Sequence, residues 1–155
     1  MFRDMRLKEN QLSSEEAVKM LKAGSNGVLA LLGDNGYTYA VPLNFAYSDN
    51  KIYFHSAKVG HKLDAIKSND KVSFCVVEKD EIVAKEFNSL FRSAIAFGTI
   101  RIVENDNERQ NALEIILKKY SPDFFEAGKE YIKAQWDNVV VFEFNIEHLT
   151  AKQGT

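Results

Sequence analysis

The sequence predicts a mainly β (α+β) domain: six antiparallel strands curled into a barrel, with flanking helices. Three observations carry that reading. Six segments rich in β-branched, aromatic and other apolar residues are spread along the chain, each of strand length. Most are joined by short turns of Gly, Asn and Asp, as at Gly33-Asp-Asn-Gly36 and Ser48-Asp-Asn-Lys51, and such turns favour hairpins. A helical pair arrives late in the chain rather than alternating with strands. That order argues against a doubly wound parallel sheet.

Taken in order, residues 1–12 are polar and read as an irregular arm. Ser13-Ser-Glu-Glu16 opens a helix, with Ser13 as N-cap, Glu16 three residues on, and Gly24 at the end. Gly27–Leu32 is a continuous apolar strand, and Gly33–Gly36 turns it back into a long strand over Tyr37–Tyr47. Pro42 lies inside that strand and cannot donate to a ladder, so the strand must be at an edge, bulged or interrupted. A strand over Ile52–His55 leads into a helix opening near Gly60 and ending near Asn69. Val72–Val77 is the next strand, 79–92 reads as a charged loop with a short helix, and Ser93–Val103 is a strand in which Gly98 marks a bulge or close approach. Leu113, Ile116, Leu117 and Tyr120 repeat at helical spacing after Asp106. Pro122 starts a second helix with Phe124, Phe125, Tyr131 and Ile132, and Asn138–Ile146 is the last strand.

Residues 1–155 fit one domain with a sizeable core, at 45% hydrophobic and 27% charged residues. A formal net charge of −2 gives no footprint for nucleic acid, and no apolar run approaches a membrane span. The opening residues lack a signal-peptide core and the single Cys75 has no partner in the chain, so a cytoplasmic protein is expected. Cys75 sits in the apolar strand Val72–Val77 and reads as a buried, inert thiol. No nucleophile elbow, Walker loop, dinucleotide fingerprint or zinc spacing is present. His55 and His61 lack ligand spacing, so no metal site is expected. The absence of a self-sufficient catalytic set suits a protein whose cofactor carries the chemistry.

The chemistry-bearing stretch is Lys51–Asp64. Ser56, Lys58, His61 and Lys62 lie between its strand and its helix start. A hydroxyl, ammonium groups and the free N–H groups of a helix N-terminus suit a phosphate. The same residues also read as solvated charges at a strand–helix corner.

Three segments in this order, Tyr39–Tyr47, Ile52–Lys62 and Phe91–Thr99, resemble the flavin-binding split-barrel superfamily of pyridoxamine 5′-phosphate oxidase-like proteins, in particular its 5-nitroimidazole-resistance branch. The likeness extends to Met5-Arg-Leu-Lys8 and Leu149-Thr-Ala-Lys152. It implies a six-stranded split barrel, a homodimer, and FMN (with FAD as the alternative) in the crevice between subunits. It makes Ser56, His61 and Lys62 the phosphate ligands, joined by Lys58 of the same corner, although relatives usually carry arginine where this chain has His61. Histidine would give a weaker, pH-dependent grip than a bidentate guanidinium. The likeness lays the backbone of Val41, Pro42, Leu43 and Asn44 along the flavin ring. It places His55 near the flavin, where the other reading is a histidine satisfied within its strand. Arg92 and Ser93 occupy the family's Arg-Ser position, for contact with flavin or with the partner. Lys152 and Trp136 are further, less specific matches.

The function implied is an FMN-dependent oxidoreductase acting on a small molecule, with a nitro group among the acceptors and His55 orienting substrate or supplying a proton. The alternative is a non-catalytic flavin- or haem-binding module of the same fold. Pyridoxamine-phosphate oxidation itself is disfavoured, since no second basic cluster is present.

Overall fold

The computed structural model of the chain describes residues 1–154. Its helices are α1 (Ser14–Ala23), α2 (His61–Ser68), α3 (Asp106–Tyr120) and α4 (Phe125–Gln135). Its strands are β1 (Asn26–Leu32), β2 (Thr38–Asn44), β3 (Ala46–Ser48), β4 (Lys51–Ala57), β5 (Lys71–Val83), β6 (Asn88–Ile102) and β7 (Val139–Gly154). All seven form one antiparallel sheet in the order β2-β1-β5-β6-β7-β4-β3.

The seventh strand comes from a break in one of the expected six. The segment Tyr37–Tyr47 bends at Phe45, so β2 pairs with β1 at one edge while β3 pairs with β4 at the other. This corner curls the sheet toward closure. Pro42 sits opposite Val28 on the edge strand β2, where its missing N–H costs no ladder bond. The break falls at Phe45 rather than at the proline, and α3 secures it. The Tyr120 hydroxyl accepts from the Phe45 N–H at 2.8 Å and lies 2.6 Å from the Ser25 and Phe45 carbonyl oxygens.

Side chains on the inner faces fill the barrel: Leu29, Phe54, Phe74, Phe142 and Phe144 are almost completely buried, and Leu63 and Ile66 of α2 join them. Outside β4 and β7, α3 and α4 pack Leu113, Ile116 and Ile132 against Tyr53 and Val141. Residue α1 positions Ala17 and Met20 rest on Ala94 and Ala151, and the Ser13 cap accepts from the Glu16 N–H at 3.2 Å as expected.

Three expectations are corrected. Residues 79–92 are not a loop with a helix but the end of a long hairpin, with β5 running to Val83 and β6 starting at Asn88. Both faces of that hairpin are largely polar or exposed, so no alternation marks it. β7 continues to Gly154 beside β6 instead of ending at Ile146. Cys75 is half-buried on the outer face, its thiol pKa pushed up by burial. Gly98 sits at the bulge that the sequence marks, where the register shifts against β7. A Cβ there would lie 1.9 Å from the Asn145 carbonyl oxygen.

Candidate functional site

The barrel is split along one side. β4 pairs with β7 over its whole length but with β3 only over Lys51–Tyr53, so Phe54–Ala57 has one edge without a strand partner. β2 pairs only with β1, which leaves its other edge open along Thr38–Asn44. Alternate backbone groups of an unpaired edge point away from the ladder and are available to a ligand. Val41, Pro42, Leu43 and Asn44 therefore lie on one lip, and His55 and Ser56 on the other.

α2 begins where the β4 lip ends. Gly60 provides the turn with φ +146°, in the left-handed region that side chains rarely adopt, and its surroundings are open. No side chain caps α2. Its first free N–H groups remain available beside Lys58 and Lys62, which make no ion pair among the described residues. The Ser56 hydroxyl donates to the Ala57 carbonyl at 2.9 Å.

His61 does something the sequence did not signal. Its ring stacks on Tyr39 of β2, centroids 4.2 Å apart and planes 23° from parallel, and its Nε2 lies 3.7 Å from an Asp34 carboxylate oxygen. It therefore ties the helix start to the β2 lip and the β1–β2 turn. No local pattern pairs Tyr39 or Asp34 with His61, because the contact exists only once the split forms.

His55 points the other way, toward the helical pair. With Asn44 it lines a cavity of about 350 Å³ whose walls come from α3, α4 and the start of β7. Its ring keeps exposed surface, yet surrounding protein pushes its pKa below the ordinary 6.5. The imidazole is thus neutral near pH 7. This cavity is not legible from spacing, since its lining converges from four separate segments.

Arg92 and Ser93 stand apart from the corner. Within one chain they lie in the first half of β6, opposite Lys79 and Val77 of β5. The Arg92 guanidinium is engaged by Glu16 and Gln153 at 2.8 Å each and by Glu78. Ser93 faces outward opposite Lys152, in a hollow of about 190 Å³ that also contains Arg3 and His148. His148 is half-buried and stacks on Phe2 with centroids 4.8 Å apart. Among the described residues no cluster of His, Cys, Asp or Glu could hold a metal ion, and no helix is long and apolar enough to cross a membrane.

Comparison with known proteins places this geometry. A family model for pyridoxamine 5′-phosphate oxidase matches residues 13–153. An uncharacterized protein of Rhizobium meliloti (strain 1021) is 30% identical over 121 residues, 76% of this chain and 74% of that one. The crystal structure of an FAD-binding protein from Mesorhizobium loti is similar with a TM-score of 0.69 and 28% identity, over 94% of this chain and 97% of that chain. A candidate 5-nitroimidazole antibiotic resistance protein from Bacteroides thetaiotaomicron shares the fold at a TM-score of 0.77 and 23% identity, over 92% of this chain and 86% of that chain. With a split barrel closed at Phe45 and a family match spanning nearly its whole length, the chain belongs to the pyridoxamine 5′-phosphate oxidase family.

Proposed function

We propose that this protein binds a flavin, FMN in the first instance, and works as an oxidoreductase on a small acceptor. The observation that carries the reading is the split itself: two free strand edges meet an uncapped helix start flanked by cations. Those residues fit the group. Lys58, Lys62, the open N–H groups of α2 and a rotated Ser56 hydroxyl would hold the phosphate. The lip at Val41–Asn44 offers backbone donors and acceptors to the polar edge of the ring. His61 acts here through its stack on Tyr39, which fixes the helix start, rather than as an arginine-like phosphate ligand. When bound, the flavin supplies hydride or electron-pair transfer. The neutral His55 can hold a proton at one ring nitrogen and orient an acceptor beside Asn44. The similarity to an FAD-binding protein supports the flavin reading.

The reading includes a homodimer. The outer face across β1, β5 and β6 exposes Val28 (39%), Leu32 (51%), Val77 (61%) and Phe97 (40%), an apolar surface suited to a second copy. Ser93 lies on this face and Arg92 adjoins it, so both are assigned to the dimer contact.

Purified protein incubated with FMN and desalted tests the binding. Two visible flavin bands are expected to be retained, bleached by a chemical reductant and restored by a nitroaromatic acceptor. Loss of all flavin on desalting contradicts the reading, and a haem-type spectrum from the isolated protein replaces it with the haem-binding alternative.

A further inference from the structure

The cavity behind His55 carries a substrate class. Its apolar walls are Leu113, Ile116, Leu117, Ile132 and Val139, and its polar side chains, Asn44, His55, Tyr120, Ser121, Tyr131 and Gln135, are all uncharged or, for His55, neutral near pH 7. No Asp, Glu, Lys or Arg lines it among the described residues. Lys119, on the same helix, is directed instead to the Gly24 carbonyl and the Phe45 ring. At about 350 Å³ the space lies in the range of small-molecule sites and accommodates one or two fused rings. A charged group entering it would lose water and find no counter-charge among the lining residues, which disfavours it.

Charge is thus separated between the helix corner and the cavity. The cations Lys58 and Lys62 stand at the start of α2, and none stands where His55 and Asn44 meet the helical pair. We infer that this cavity receives a flat, uncharged, largely apolar acceptor whose polar group meets His55 and Asn44, and that phosphorylated and other anionic acceptors are rejected. The inference rests on the flavin reading for its meaning as a substrate site, but the binding preference belongs to the cavity alone. It sets this chain apart from a protein built for a phosphorylated amine, despite the family's name.

The test uses 4-nitrotoluene and 4-nitrobenzenesulfonate, which share a nitroaromatic ring and differ in charge. Each is titrated by equilibrium dialysis into the native chain, with and without FMN, while the His55 ring C–H resonances are followed by NMR. 4-Nitrotoluene is expected to bind in both states and shift the His55 signals, with the sulfonate at least about tenfold weaker. Val139→Phe, which fills the cavity, is expected to weaken 4-nitrotoluene at least about tenfold while FMN retention is unchanged. If that variant fails to fold, the comparison of the two probes on the native chain still decides. Equal binding of the probes, or binding that leaves His55 unshifted, overturns the inference. Loss of FMN retention with the probe preference intact removes the flavin reading alone, and retained FMN without the preference removes the cavity assignment alone.

Discussion

Lys119 shows how one side chain reports on the barrel's closure. Its ammonium group is half-buried, bonds the Gly24 carbonyl and sits 3.9 Å from the Phe45 ring centroid, and burial pushes its pKa down to about 8 from 10.5. Between those values the unfolded chain binds the proton and the folded chain has released it, so stability rises with pH across the window from about 8 toward 10.5. Comparing native protein with Lys119→Met isolates this contribution from the thiol and phenols that titrate nearby. The melting temperature of the native chain is expected to gain on that of the variant as pH rises from 8 to 10. A constant difference would mean that Lys119 is not desolvated. His55 behaves in the opposite region: its lowered pKa means that stability falls as pH drops through the ordinary 6.5, a loss expected to be smaller in His55→Gln. Neither behaviour was legible in the sequence, because both shifts arise from burial by residues distant along the chain.

At the scale of elements, the strands whose faces divide cleanly between core and solvent were the ones the sequence revealed. β1, the first half of β5 and the barrel part of β6 bury alternate residues. The hairpin tip at 79–92 and the last residues of β7 lack that division, so their pattern is silent. The helix expected from Pro122 is present as a 3-10 turn over Pro122–Phe124 followed by α4, yet Phe124 and Tyr131 are exposed and only Ile132 of α4 is buried. Gly98 is the element-level feature the sequence did mark. Because an added Cβ would meet backbone rather than a flexible side chain, Gly98→Ala forces β6 and β7 apart at the bulge. Urea unfolding is expected to show a loss of about 1–3 kcal/mol, the usual scale of overpacking. A loss near zero would show that the bulge relaxes freely.

For the molecule as a whole, the fold was legible because turns and hairpins are local, whereas the site was legible only in part. The strand–helix corner at Ser56–Lys62 is contiguous in sequence and could be read directly. The split, the Tyr39–His61 stack and the cavity behind His55 depend on the bend at Phe45, which brings distant segments together. The proposed dimer is tested at its apolar outer face. Val77→Asp leaves the core untouched, since Val77 is exposed on the outer face, and is expected to give a folded monomer in sedimentation velocity with weakened flavin retention. An unchanged dimer would place the interface elsewhere. In the proposed reading the corner at the start of α2 grips the phosphate of a flavin held in the split. That grip is tested most directly by the affinities of FMN and riboflavin, which differ by that phosphate, for native protein and for Lys62→Ala. FMN is expected to bind at least about tenfold tighter than riboflavin in the native chain, as a charge-assisted bond of roughly 1.5–3 kcal/mol gives, with most of that preference lost in the variant. Equal affinities in the native chain, or a preference untouched by Lys62→Ala, would contradict it.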